Sequence, residues 1–378
     1  MEKTMEETIE MANEVETVST VQGFVPLSKL GIILPHEHIR HKPLSTEYRQ
    51  SSKPKIHPFL NTDYDFLINR GHYKMYPYTA MSKDISLIDD EIVKNELNQC
   101  KSIDTIVENT SYGLMRDISQ FKNFSEHSKI NIIAGTGFYA ANVQEKKTLS
   151  LSQKKMYNVM KRDLTENCLS SVANEKVKAE NNAKILAGFI GAVGISSPIH
   201  AFEKRSICAT AEVQEELGCP VSFSPAMGTC DYTKVLRIYE EAGGNANKAV
   251  VTHVDCTLIK KTELMEFLDD TKCYIQFSMF GDETSFNHRD DNLDMLSDAQ
   301  RIKRLKLLKD NKQLHRVLIS HDIHTEERMS HYGGHGFTHI SKHIREHMLS
   351  RGLSTEDFET LTKENPQTWL FWNQKSKI

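Results

Sequence analysis

Short apolar runs rich in β-branched residues recur along the chain, most of them separated by segments with apolar positions at helical spacing. Eight runs read as strands: 30–38 (LGIILPHEH), 104–110 (DTIVENT), 131–139 (NIIAGTGFY), 187–194 (AGFIGAVG), 220–225 (PVSFSP), 249–255 (AVVTHVD), 274–281 (YIQFSMFG) and 316–324 (RVLISHDIH). Stretches such as SLIDDEIVKNELNQC and YTKVLRIYEEAGG between them read as amphipathic helices, some closed by glycine. Strands that are apolar throughout, rather than alternating, belong to a parallel sheet covered on both faces. The pattern therefore predicts the α/β class, as a single (β/α)8 barrel over residues 17–373. VSTVQGFVPLSK, just before the first run, reads as a short β-hairpin. Residues 39–85 interrupt the rhythm with many aromatics, several prolines and little periodicity. A connection that long is expected to be an ordered lid over the barrel mouth.

Composition narrows the function classes. Hydrophobic content of 39% and charged content of 26% describe a globular chain able to bury a large core. A formal net charge of -4 gives no reason to expect a nucleic-acid or acidic-membrane partner. Seven cysteines, with no C-x-x-C pair, read as reduced thiols in a cytoplasmic protein. Residues 1–16 carry six glutamates and one lysine, which reads as a solvated acidic tail rather than a targeting peptide. Residues 374–378 are expected to form a short C-terminal tail. The longest apolar stretch, 185–195, falls well short of the ~18 residues of a membrane span.

Chemistry in such a barrel sits at the C-terminal ends of the strands. There the first run carries His36 and His38, which alternation places on one face. The sixth run ends near His253 and the eighth carries Asp322. Histidines and a carboxylate at equivalent depths point to a divalent metal site. Glu108 and Tyr139 also lie at strand ends and are candidate pocket residues, with packing as the alternative. Tyr332 and His335 belong to a glycine-rich YGGHG segment that reads as a substrate loop. Arg116-Asp117 reads as a helix cap or a surface ion pair. His335, His339, His343 and His347 recur at four-residue spacing and read chiefly as a solvated helical face.

The ordered motifs TVQGFVPLSKLGIILPHEH, VENTSYGLMRD, GTGFYAAN, VVTHVD, ISHDIH with YGGHGF, and NPQTWLFW resemble the phosphotriesterase-related proteins of animals, within the amidohydrolase superfamily. The likeness runs from about residue 17 to 372. It implies a two-metal barrel, with the first-strand histidines and the eighth-strand aspartate on one ion. Histidines of strands five and six hold the other, and a strand-four carboxylate bridges the pair. It also implies hydrolase activity, on small N-acyl amides such as N-acetyltaurine in the animal branch. Bacterial relatives cleave phosphotriesters and lactones. His36, His38, His253 and Asp322 match ligand positions.

Two positions depart from the pattern. Ala192 stands where the bridging glutamate belongs, and Ser224 where the strand-five histidine belongs. Neither side chain can replace the lost ligand, so a second ion is expected to be weak or absent. One ion, expected to be zinc, would remain on His36, His38 and Asp322 with an open fourth position. A hydroxide on that ion would attack the substrate carbonyl, with His253 free to polarise it or act as base. A barrel that binds a small ligand without turnover is the alternative. The expected partner is a small-molecule substrate, and a homodimer stays open.

Overall fold

The computed structural model describes residues 15–40, 89–172, 184–225, 231–284 and 294–378. The segment expected to form a lid lies almost wholly outside the described residues, as does the acidic tail up to residue 14. Strands β1 (Thr17–Thr20) and β2 (Gly23–Pro26) form the antiparallel hairpin expected from the sequence. Eight parallel strands follow: β3 (Ile33–Glu37), β4 (Thr105–Glu108), β5 (Asn131–Thr136), β6 (Phe189–Ile195), β7 (Val221–Pro225), β8 (Ala249–Val251), β9 (Tyr274–Phe277) and β10 (Val317–Ile319). Seven lie inside the apolar runs read from the sequence, β6 runs one residue past its own to Ile195, and they pair in sequence order. The result is a nearly closed (β/α)8 barrel.

The strands are apolar throughout because both faces are covered. Outward residues such as Leu34, Ile106, Ile132 and Phe223 pack under the helices. Inward residues Ile33, Val107, Ile133, Phe189, Val250 and Leu318 fill the lower barrel, closed by Val18 of the hairpin with Trp369 and Leu370. Five of the helices between the strands begin on an Asp or Ser cap, whereas Lys261–Asp270 has no capping side chain. Asp89, Asp117, Ser152, Asp231 and Ser297 each accept a first-turn backbone N–H. Asp117 also pairs with Arg40 at 2.6 Å, as a cap or surface pair should. Arg116 departs from that reading: it is buried and donates to Asp163 at 3.1 Å and to the Gly135 carbonyl.

No strand-to-strand ladder joins β10 to β3, and closure uses the chain just beyond β10. Asp322 donates its N–H to the His36 carbonyl at 3.2 Å, and His38 donates to the Ile323 carbonyl at 3.3 Å. The C-terminus is anchored too. Gln374, where a tail was expected to begin, is buried and donates its amide to the Leu164 and Ala187 carbonyls. The six described cysteines are free thiols, and no described helix is long and apolar enough to cross a membrane.

Candidate metal centre

His36 and His38 converge at the top of β3, their ring centroids 5.5 Å apart. The β3–β4 ladder shifts register between Leu34 and Glu37, so the strand carries an extra residue there. Glu37 turns away from the two histidines and accepts from the segment after β10. Its Oε1 takes the Ser320 hydroxyl at 2.8 Å, and the His321 N–H and Nδ1–H at 2.9 Å each, while Oε2 takes the Ile323 N–H at 2.9 Å. Ser320 Oγ in turn accepts the His36 N–H at 3.1 Å. Arg328 closes the same segment from below by donating to the His321 and Asp322 carbonyls at 2.7 Å. These bonds fix Asp322, which adopts a left-handed φ of 53°, opposite the two histidines.

The Asp322 carboxylate is the hub. Its Oδ1 lies 3.3 Å from His38 Nε2 and 3.6 Å from His36 Nε2. Its Oδ2 lies 3.9 Å from His253 Nε2 and 3.4 Å from His324 Nδ1. His253, also at a left-handed φ of 58°, is held by the Ser278 hydroxyl, which accepts its N–H at 3.1 Å. His36, His253 and Asp322 each offer a ligand atom within 4.8 Å of the others. The structure thus brings all four sequence candidates together on one carboxylate.

Electrostatics and hydrogen bonding test whether a cation fits here. Burial, foremost, drives the His36 imidazole well below its ordinary value, and His253 falls for the same reason. Both are therefore neutral near neutral pH. Burial works against the charged Asp322, yet His324, His38 and His253 hold its carboxyl well below the usual carboxylate range. His38 is opposed by burial too, but Asp322 and then Glu108 leave it raised above its ordinary value. Carboxylate oxygen and imidazole nitrogen at 3.3 Å attract only with a cation between them, either a proton or a metal ion. Three imidazoles around one buried carboxylate make a donor set that suits a divalent transition ion.

The lost ligand positions are filled in a defined way. Ala192 is fully buried where the β6–β7 register shifts between Ile190 and Val193. Its N–H donates to the Asn109 carbonyl at 3.1 Å and its carbonyl accepts the Ser111 hydroxyl at 2.6 Å. Ser224 hydrogen-bonds the Tyr139 phenol, whose proton is pushed up to about 12 by burial and then by nearby Asp322. Gly194, paired with Ser224 across β6–β7, makes room for this: a Cβ there would lie 2.2 Å from the Ala140 nitrogen and 2.8 Å from the Tyr139 Cα.

The remaining candidates are placed differently. Glu108 is sealed behind His38, with both oxygens engaged by Ile39 and Thr110. Tyr332 is half-buried, edge-on to His331 at 4.8 Å. His335 stacks on His321 at 5.5 Å and accepts from Arg328 Nε at 3.3 Å, and His339 donates to Asp298 at 2.7 Å. Of the four spaced histidines only His343 and His347 are solvated, because the other two cover His321. His324 and Thr110 were not singled out from the sequence. The H-D-I-H spacing was the signal for His324; a threonine at a strand end carries none.

Comparison with known proteins places the chain in a family. A family model described as "Phosphotriesterase family" matches residues 16–370. A phosphotriesterase-related protein of Drosophila pseudoobscura pseudoobscura is 36% identical over 93% of this chain and 98% of its own. That of Drosophila melanogaster is 35% identical over 94% and 99%. Among solved structures, a resiniferatoxin-binding protein from Rhodobacter sphaeroides superposes with a TM-score of 0.78 at 22% identity, covering 94% of this chain and 95% of that one. An amidohydrolase from Mycoplasma synoviae gives 0.72 at 18% identity, over 95% and 93%. Sequence and barrel together identify the fold and the lineage: the chain belongs to the phosphotriesterase family, whose members are metal-dependent hydrolases.

Proposed function

We propose that the protein hydrolyses small N-acyl amides or esters, of the N-acetyltaurine kind, with one zinc ion held by His36, His38 and Asp322. The observation that carries this reading is the convergence of imidazole nitrogens on Asp322 at 3.3, 3.6 and 3.9 Å in a buried site. A divalent ion bound there supplies Lewis acidity and a water acidified to a pKa of ~7. His253, neutral and without the partner ligands that Ala192 and Ser224 replace, is placed to accept a proton. The Tyr139 phenol, still protonated at neutral pH, is available to donate a hydrogen bond to substrate.

A second reading has its own support. Ala192 and Ser224 remove two ligands, which fits a barrel that binds a small ligand without turnover. Metal analysis of protein purified without an affinity tag separates the two, combined with hydrolysis of an N-acyl amide and ester panel. About one zinc per chain, lost together with activity in His36→Ala, is the expected result. A folded, metal-free and inert protein would overturn the hydrolase.

A further inference from the structure

We propose that Glu108 acts on the bound metal from behind, through Thr110 and His38, and supplies the second anionic group that β6 no longer provides. This rests on the metal-site reading above.

Glu108 is the last residue of β4 and is completely buried. Its Oε2 accepts the Ile39 N–H at 2.6 Å and its Oε1 accepts the Thr110 N–H at 3.0 Å. Burial raises the Glu108 carboxyl above its ordinary value, while His38, the Thr110 hydroxyl and the Ile39 and Thr110 N–H donors all favour the carboxylate. The Thr110 hydroxyl also donates to Oε1. A hydroxyl has a single proton to donate. Once it is given to Glu108, the 2.8 Å contact between Thr110 Oγ1 and His38 Nδ1 leaves the nitrogen as donor. His38 is thereby fixed as the Nδ1–H tautomer, and its Nε2 lone pair points at Asp322 Oδ1.

The other two histidines lack this support. His36 Nδ1 and His253 Nδ1 are buried and find no hydrogen-bond partner among the described residues. His38 is thus the one imidazole of the three whose outer nitrogen leads to a carboxylate. Such relays raise ligand basicity and hold the ring in its binding orientation. The charge count points the same way. Asp322 and Glu108 each bring a buried carboxylate to bear on a divalent ion, Asp322 directly and Glu108 through His38, in a site where an unbalanced buried charge is expensive. With alanine at 192, no carboxylate from β6 shares that task. Glu108 and Thr110 are positioning residues: they meet the ion only through His38.

Two measurements on the full chain test this. Long-range proton–nitrogen NMR on protein carrying isotope-labelled histidine, above the titration range of His38, reads its tautomer directly. Nδ1–H is expected, and Nε2–H would overturn the relay. Zinc affinity by competition with a chromophoric chelator is the second. Thr110→Val and Glu108→Gln should each weaken zinc roughly 10–100-fold, and Thr110→Ser should restore it. If Glu108 only ties down Ile39, Thr110→Val leaves zinc affinity unchanged and the proposal fails. Should Thr110→Val not fold, the wild-type tautomer and the Glu108→Gln affinity still decide. Wild-type protein that takes up no zinc removes the metal reading itself, whereas weak or unaltered variants beside a zinc-binding wild type judge the relay alone.

Discussion

Glu37 and His321 are joined at 2.9 Å between carboxylate Oε1 and imidazole Nδ1, although 284 residues separate them in sequence. The same carboxylate accepts from Ser320 and Ile323, so one side chain substitutes for the ladder missing between β10 and β3. Glu37→Ala leaves those buried donors without an acceptor, and a loss of about 3 kcal/mol is expected. Chemical denaturation measures it. Metal content should fall in parallel, because Asp322 hangs from the same segment.

Asp322→Asn separates ligand loss from misfolding. Asparagine tolerates the left-handed backbone that residue 322 adopts. The variant should keep its circular dichroism spectrum and lose its zinc, as judged by metal analysis after dialysis. Collapse of the fold would mean that Asp322 is chiefly a structural residue.

Ala192→Glu with Ser224→His tests whether the second site is merely vacant of ligands. Glutamate alone at the fully buried 192 position adds an unpaired charge and should lower stability by about 3–5 kcal/mol. In the double variant with zinc present, metal stoichiometry should rise to about two per chain and much of the lost stability should return. Thermal denaturation with and without zinc reads both effects. A stoichiometry that stays at the wild-type value would show that the register shift around Ala192 has closed the site.

Asp298 gives the protein an acid-sensitive joint outside the His36–His38–His253–Asp322 cluster. It accepts from His339 at 2.7 Å, from Arg301 at 3.0 Å and from the Gly281 N–H. Burial opposes its ionisation, but His339 and Arg301 hold its carboxyl below the ordinary value of 3.8. A carboxyl depressed in the folded state contributes stability that is present above the unfolded-state value and lost as pH falls through the folded one. Asp298→Asn should therefore destabilise the protein near neutral pH, and the deficit relative to wild type should shrink below pH ~4. Denaturation midpoints across that range check the sign.

The barrel was legible because burial on both strand faces leaves continuous apolar runs, and nothing about that depends on partners far away. His36, His38, His253 and Asp322 were legible for a related reason: polar residues at the ends of such runs stand out. What lay hidden depends on neighbours that no local pattern reports. Thr110 matters only because His38 and Glu108 flank it in space. The pairing of Tyr139 with Ser224 relies on a bare Gly194 between them. His335 and His339 share helical spacing with two solvated histidines, yet the ring of His321 claims them.

The closure at Glu37 also sets a time order for the protein's life. His36 and His38 are synthesised well before Asp322, the carboxylate they converge on. Contacts of such long sequence separation form late, after shorter-range pairings have settled. A nascent chain carries only an exposed H-x-H pair, with no second wall to retain an ion. Zinc uptake at the proposed site should therefore follow ring closure of the barrel rather than the availability of the first two histidines.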